Sequence, residues 1–158
     1  MARIFYDARM NEKICSAAFD LLARREYSEK EMQAKLWKKF PDQKEECQAV
    51  IRELLEQKYI DDDAYAQHWT EYYAANQRKG RQWYRQKLLL KGISPEICER
   101  ILAEYFSPEM EYEAAKLALS EKLPSVQHLP PFQKKAKLLP FLTARGFSFS
   151  VAQEVISV

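Results

Sequence analysis

The sequence predicts an all-α protein made of three tandem three-helix repeats that form an elongated, curved array. First, a helix end, a glycine stop, a serine cap and an apolar helix face occur twice, 54 residues apart, and such a period indicates stacked helical units. Second, only 3 glycines among 158 residues leave few positions for hairpin turns. The paired positions of the period are Leu88 and Leu142, Gly92 and Gly146, Ile93 and Phe147, Ser94 and Ser148, Ile97 and Val151, and Ile101 and Val155. The predicted parts are an N-terminal tail at 1–10 and repeats at 11–58, 59–106 and 107–158.

The first repeat contains a strong helix start signal. Its first helix is expected at 11–25 and its third at 43–57. The second helix begins at Ser28, which forms a capping box with Glu31 because each side chain accepts a bond from the other residue's backbone N–H. Pro41 is expected to end this helix. The diverged copy of the period in this repeat consists of Leu36, Phe40, Cys47 and Ile51.

In the second repeat, the fourth helix follows the acidic run at 61–63, whose carboxylates are expected to cap it. A turn at 76–80 precedes the fifth helix at 82–91. Gly92 is expected to end that helix in the left-handed conformation. The sixth helix begins at Ser94, which is followed by a proline suited to the first helical turn.

In the third repeat, Ser107 followed by proline predicts the start of the seventh helix. A connection at 123–131 contains several prolines. The eighth helix is expected to end at Gly146 and the ninth to start at Ser148. Pro140 either kinks the eighth helix, because it removes a hydrogen bond inside it, or marks a helix that starts near this proline; we favour the kink.

Cations concentrate in the second helix of each repeat, although the net charge is only +2. The segment 78–91 holds six of them without an acid, and the segment 134–145 holds four. Like charges without a counter-ion repel, so we interpret 78–91 as a surface for a phosphate backbone or an acidic protein groove, although single charged residues often only solvate a helix face. Trp83 lies among these cations and is a candidate for base stacking. The candidate binding residues are Lys38, Lys39, Arg78, Lys79, Arg81, Trp83, Arg85, Lys87, Lys91, Lys134, Lys135 and Lys137.

The sequence offers no clear catalytic or metal-binding motif. Three adjacent carboxylates at a helix start cannot all reach one ion, so we interpret 61–63 as a cap. His68 and His128 are the only histidines, which argues against a zinc cluster or a histidine-dependent triad. A phosphate-binding GxxxxGK[ST] loop is absent from the sequence. We therefore expect no enzymatic activity and no cofactor.

The cellular setting is predicted from two further features. No apolar stretch approaches the ~20 residues that cross a bilayer, and charges interrupt any signal-peptide core in the tail. The cysteines are spaced widely at apolar helix positions, so we expect buried free thiols in a reducing cytoplasm. These cysteines are Cys15, Cys47 and Cys98.

Four stretches, in order along most of residues 15–150, match the pattern of one known family. They are Ala23-x-Arg25-x-Tyr27-Ser28-x-x-Glu31-Met32-x-x-Lys35-Leu36; Tyr59-Ile60-Asp61-Asp62-x-x-Tyr65-Ala66; Lys79-Gly80 with Lys87-Leu88-x-x-Lys91-Gly92-Ile93-Ser94; and Arg145-Gly146-Phe147-Ser148. On these residues the chain resembles the RecX family of regulatory proteins. Three positions depart from the family pattern: Tyr84 and Phe40, which we interpret as packing variation, and Pro140.

The resemblance implies a fold of three tandem three-helix repeats and a role as a modulator, mainly an inhibitor, of the recombinase RecA. Family members bind in the groove of the RecA filament on single-stranded DNA, block ATP hydrolysis and strand exchange, and promote filament disassembly. The implied partners are the RecA filament and single-stranded DNA, with double-stranded DNA as a further ligand, and no membrane. The implied context is homologous recombination, DNA repair and the SOS response, and we expect a monomer.

Two alternatives from other classes stay open. One is a general DNA-binding helical protein that grips phosphates without a protein partner, which the low net charge disfavours. The other is an enzyme with a carboxylate site at 61–63, which metal binding there would indicate.

Overall fold

The computed structural model describes residues 11–76 and 78–157, and the tail predicted at 1–10 lies outside them. Over these residues the chain forms nine α-helices and one 3-10 turn, without a β-strand. The all-α prediction is confirmed, whereas the curvature and the repeat boundaries stay predictions. The elements are α1 (Glu12–Leu22), α2 (Glu29–Lys39), α3 (Lys44–Glu56), α4 (Asp62–Asn76), α5 (Arg81–Leu90), α6 (Pro95–Tyr105), α7 (Pro108–Lys122), the 3-10 turn (Leu123–Val126), α8 (Pro131–Ala144) and α9 (Phe149–Ser157).

The chain divides into two compact units. The first contains the residues up to Tyr65 together with Lys91–Ile93, and the second contains Ala66–Leu90 and the residues from Ser94 onward. In the first unit, α1 ends before the predicted position because the Arg24 N–H bonds the Leu21 carbonyl at 3.0 Å. This shorter spacing tightens the last turn into 3-10 geometry. The core of this unit consists of Ile14, Cys15, Ala17, Ala18, Tyr27, Met32, Leu36, Cys47, Val50, Ile51, Leu54 and Ile60.

The helix start signals of the first unit are confirmed. The Ser28 hydroxyl accepts from the Glu31 N–H at 3.2 Å, and the Glu31 carboxylate accepts from the Ser28 N–H at 3.3 Å. The helix ends at Lys39 with Phe40 as its C-cap. The prediction for the cysteines is also confirmed in that all three are buried free thiols, and burial raises the pKa of each. The positions concerned are Cys15, Cys47 and Cys98.

The second unit has serine caps where they were predicted. Ser94 accepts from the Ile97 N–H, and Ser107 accepts from the Met110 N–H. Tyr84 is fully buried and donates its hydroxyl to the Tyr73 carbonyl at 3.2 Å. Tyr84 therefore packs in the core, as the packing interpretation required. The core of α7, α8 and α9 consists of Ala115, Ala118, Leu119, Val126, Leu138, Leu142, Phe147, Ala152 and Val155.

Pro140 lies inside α8 and not near its start. Its ring is exposed to solvent, and so is Ala136, whose carbonyl loses its helical N–H partner. The Thr143 hydroxyl lies 3.1 Å from the Leu139 carbonyl and 3.2 Å from the Pro140 carbonyl.

Glycines end two helices in the left-handed conformation, as predicted: φ is +86° at Gly92 and +92° at Gly146. Each of these glycine turns also contacts the start of a helix that lies earlier in the chain. Within the first unit, the Ser28 hydroxyl at the start of α2 donates to the Lys91 carbonyl at 2.6 Å. A Cβ added to Gly92 would lie 2.4 Å from the Cβ of Lys30.

The second unit has an equivalent contact, which we call the Gly80 joint. The Gly80 N–H donates to the Arg145 carbonyl at 2.9 Å, and the Gln82 N–H donates to the Gly146 carbonyl at 3.1 Å. A Cβ on Gly80 would lie 2.3 Å from the Gly146 backbone, and a Cβ on Gly146 would lie 2.4 Å from the Trp83 nitrogen. The joint therefore fixes the start of α5 directly against the turn between α8 and α9.

Candidate cation and aromatic surface

Carboxylates pair with four of the six cations in the segment 78–91, so the expectation that this segment lacks counter-ions is wrong for them. Glu99 on α6 accepts from two guanidiniums, at 2.8 Å from Arg81 and 2.7 Å from Arg85. Arg78 pairs with Glu121. The sequence pattern missed these pairs because the acids come from other helices.

The fourth pair belongs to the first unit. The Lys91 ammonium lies 3.1 Å from Glu31, which also pairs with Arg25 at 3.1 Å. Burial acts to raise the pKa of Glu31, but the bonds from Lys91, Arg25 and the Ser28 N–H outweigh it and lower this pKa. Lys91 therefore has a structural role in addition to its candidate binding role.

The remaining two cations of the segment surround Trp83. The ammonium of Lys79 lies 5.7 Å from the centre of a Trp83 ring, and that of Lys87 lies 5.5 Å from it, within the range of cation–π attraction. Arg145 lies next to this segment because its carbonyl accepts from the Gly80 N–H in the Gly80 joint. Its guanidinium lies 4.5 Å from the Phe141 ring. We call Lys79, Trp83, Lys87 and Arg145 the Trp83 cluster.

The cations of the Trp83 cluster crowd one another. The pKa of Lys79 is lowered, first by partial burial and then by the positive charges of Arg145 and Lys87. Among the described residues, no carboxylate lies within salt-bridge distance of these three cations. The cluster therefore has an unneutralised positive charge that suits an anionic partner. Sequence reasoning did not select Arg145, although Arg145-Gly146 repeats the Lys91-Gly92 pair and so signals its position.

Aromatic side chains of α4 extend from the Trp83 cluster. Trp69 stacks on Trp83 with ring centres 6.0 Å apart and an interplanar angle of 19°. Tyr73 contacts Trp69 at 4.6 Å, and Tyr72 contacts Tyr73 at 5.1 Å. We call these four rings the ring ladder. Its outer member, Tyr72, is 67% exposed.

The other candidate residues lie elsewhere. Lys38 and Lys39 are exposed in the last turn of α2, in the first unit. In the second unit, Lys134 is half-buried, and Lys135 and Lys137 are exposed, in the first half of α8. Arg145 follows the other end of this helix, so the three α8 lysines do not join the Trp83 cluster along it.

The acidic run at 61–63 caps α4, as predicted. The Asp61 carboxylate accepts from the Asp63 and Ala64 N–H groups at 3.1 and 3.3 Å. Asp62 accepts from the Glu29 N–H at 2.8 Å, and burial raises its pKa. Two of the three carboxylates thus bond to backbone N–H groups at helix starts. Across the described residues, no helix is long and apolar enough to span a membrane.

These features define a helical repeat protein in which one surface of the second unit combines cations with aromatic rings. Family models described as "RecX, second three-helix domain" and "RecX, third three-helix domain" match residues 61–102 and 109–156. The chain is 34% identical over 153 residues to a regulatory protein RecX of Chlorobaculum tepidum, covering 94% of this chain and 92% of that protein. A Thermus thermophilus regulatory protein RecX is 33% identical over 145 residues, covering 92% and 91%. The chain therefore belongs to the RecX family of regulatory proteins, which confirms the predicted resemblance.

Solved structures agree with this assignment. A crystal structure of a regulatory protein RecX superposes with a TM-score of 0.84 at 27% identity, covering 92% of this chain and 71% of that one. RecX from Lactobacillus salivarius superposes with a TM-score of 0.82 at 23% identity, covering 92% and 93%, and supports the fold. Some relatives are longer: this chain spans 53% of the Leuconostoc mesenteroides protein, to which it is 30% identical.

Proposed function

We propose that the chain modulates RecA, mainly as an inhibitor, by binding in the groove of RecA filaments on single-stranded DNA. Binding there blocks ATP hydrolysis and strand exchange and promotes filament disassembly. Membership of the RecX family supports this proposal, and the observation that carries it to particular residues is the Trp83 cluster. We further propose that it acts in the cytoplasm as a monomer, without catalysis or a cofactor of its own.

The candidate contacts are not equivalent in this proposal. Lys79, Lys87 and Arg145 have no carboxylate partner among the described residues, so phosphates or acidic RecA side chains meet them without first breaking an ion pair. Arg81 and Arg85 must instead break their ion pairs with Glu99 before they bind a phosphate or an acidic RecA side chain. Because exposed ion pairs contribute only about 0–1 kcal/mol, this exchange costs little. The lysines of α2 and α8 would provide further contacts with successive RecA protomers, and several weak contacts would combine through effective concentration.

The experiment that tests this proposal is RecA-catalysed ATP hydrolysis on single-stranded DNA, with the purified chain added below the RecA concentration. We expect hydrolysis to fall at such ratios, because one molecule on a filament affects several protomers. Hydrolysis that stays unchanged, even with the chain in excess, would contradict the proposal.

The second candidate function is general DNA binding without a protein partner, which the unneutralised cations of the Trp83 cluster also favour. Its signature would be tight and steeply salt-dependent binding to naked DNA, since each phosphate contact releases counterions. Inhibition of RecA would then require enough protein to cover the DNA. A stoichiometry set by DNA length instead of RecA concentration would favour this second candidate.

A further inference from the structure

A groove with a partly apolar lining lies between α7 and α9 in the second unit, and we call it the α7–α9 groove. Pro108 and Tyr112 of α7 and Val151 of α9 form its apolar part, and its volume is about 380 Å³. Tyr112 and Val151 are half-buried, because they also pack against the core of α7, α8 and α9. The core therefore holds these two side chains in place while part of each stays open to a partner.

Three glutamates complete the lining of the groove and make it acidic. Glu109 and Glu113 lie one turn apart on α7, and Glu154 lies on α9. All three are exposed. Among the described residues, Lys116 is the one cation within salt-bridge distance of these carboxylates, 3.2 Å from Glu113. Three carboxylates against one ammonium leave the groove with an excess of negative charge.

The position of Lys116 shows what kind of group these surroundings attract. In addition to its pair with Glu113, its ammonium lies 5.6 Å from the Tyr112 ring, within the range of cation–π attraction. Both residues line the groove, so a ring and a carboxylate of the lining already hold one cation together. This exposed ion pair contributes only about 0–1 kcal/mol, so a partner's cation displaces Lys116 at little cost.

The size and charge of the groove restrict its partner. Its lining on α7 extends over residues 108–113, which is about 7.5 Å along the helix. This length accommodates one apolar side chain with a cation on either side, and it is too short for a long amphipathic helix. The glutamates repel nucleic acids and acidic protein segments. A short basic segment of a protein fits both restrictions.

We propose that the α7–α9 groove docks a short basic segment of a partner protein. One apolar side chain of this segment packs on the apolar lining, and its lysines or arginines pair with the three glutamates. The groove thus binds the opposite charge to that which the Trp83 cluster suits. The inference goes beyond the proposed function, since this binding requires neither DNA nor the inhibition of RecA.

The test measures the fluorescence anisotropy of a labelled peptide in which one leucine is flanked on both sides by lysines. The full chain is titrated into this peptide at low salt, and we expect saturable binding. The net charge of the chain is +2, so the protein as a whole does not attract the peptide, and binding must depend on local acids. A serine in place of the leucine should weaken binding about tenfold, because apolar burial is lost. Glutamates in place of the lysines should abolish binding.

Charge reversal locates the binding at the groove. Glu113→Lys with Glu154→Lys should weaken peptide binding at least about tenfold, because like charges then face one another. Glu56→Lys with Glu104→Lys is the matched control, since it reverses two charges at exposed positions of α3 and α6. This control should bind within about twofold of the unchanged chain, because salt screens distant exposed charges.

Circular dichroism should show equal helix content in both variants. If the reversal lowers it, Glu113→Gln with Glu154→Gln removes the charges at nearly unchanged size and should weaken binding about threefold. Three results would each overturn the inference: no saturable binding of the leucine and lysine peptide, equal binding of the serine peptide, or an equal loss in the groove and control variants.

The outcome for this groove is separable from that of the proposed function, because the peptide assay contains no RecA. A chain that inhibits RecA but does not bind the peptide keeps the RecA role and loses the groove site. A chain that binds the peptide through these glutamates but does not alter RecA-catalysed ATP hydrolysis keeps the groove site and loses the RecA role.

Discussion

Gly80→Ala is expected to destabilise the second unit strongly, because its Cβ has no room. That atom would lie 2.3 Å from the carbonyl carbon and oxygen of Gly146 and 2.3 Å from the Phe147 nitrogen. All three are backbone atoms, so no side-chain rotation relieves the contact. The start of α5 must instead move away from the turn after α8.

The magnitude follows from what this movement breaks. Overpacking by one carbon costs about 1–3 kcal/mol, and the two bonds of the Gly80 joint contribute about 0.5–1.5 kcal/mol each. The free energy of unfolding should therefore fall by about 2–6 kcal/mol. For a chain of 158 residues, this lowers the melting temperature by about 5–20 °C.

The assay is thermal and urea unfolding followed by circular dichroism and tryptophan fluorescence. Ala136→Ser is the control, since it adds one heavy atom at an exposed position of α8. A free energy of unfolding for Gly80→Ala within about 0.5 kcal/mol of the unchanged protein would show that the Gly80 joint has room for a Cβ, because a surface substitution shifts stability by that much.

Three further predictions concern charged and titrating groups. The pKa of Glu31 is lowered in the folded chain. Its contribution to stability is therefore present above its unfolded pKa of about 4.3 and is lost as the pH falls through the folded pKa. In Glu31→Gln, the free energy of unfolding should fall less steeply as the pH is lowered through this range. Burial raises the pKa of Tyr84 to about 12. The stability that this shift contributes is complete below the unfolded pKa of about 10 and is lost between about pH 10 and about pH 12. Urea unfolding of Tyr84→Phe should show no such loss of stability from this position at alkaline pH. Glu99→Gln releases two arginines. The slope of the logarithm of the DNA-binding constant against the logarithm of the salt concentration should become steeper by about 1–2. An unchanged slope would show that these arginines do not contact the phosphates.

The local features of the fold could be predicted from the sequence. The capping box of Ser28 and Glu31, the serine caps and the glycine stops each depend on a few neighbouring residues, so the printed order of residues is enough to identify them. α1 ends before its predicted end, because its last turn tightens at Leu21 in a way that the apolar spacing does not signal.

The candidate surface could be predicted only in part, because it depends on which helix faces meet. The concentration of cations at 78–91 was visible, but the partner of Arg81 and Arg85 is on α6, and no local pattern identifies Glu99 as that partner. The Gly80 joint likewise unites segments far apart in the chain, and it alone explains why Arg145 lies near Lys79. The ring ladder likewise depends on contacts between side chains of α4 and Trp83 of α5.

A comparison of two triple variants in the RecA ATP hydrolysis assay would show whether the Trp83 cluster carries the inhibition of RecA. Lys79→Gln with Lys87→Gln and Arg145→Gln removes the cations of the Trp83 cluster. Lys13→Gln with Lys35→Gln and Arg52→Gln removes the same charge from exposed positions of the first unit. We expect the cluster variant to inhibit RecA at least about tenfold less potently, and the control variant to inhibit as the unchanged chain does. Equal inhibition by both variants, with helix content intact, would contradict a role for the Trp83 cluster.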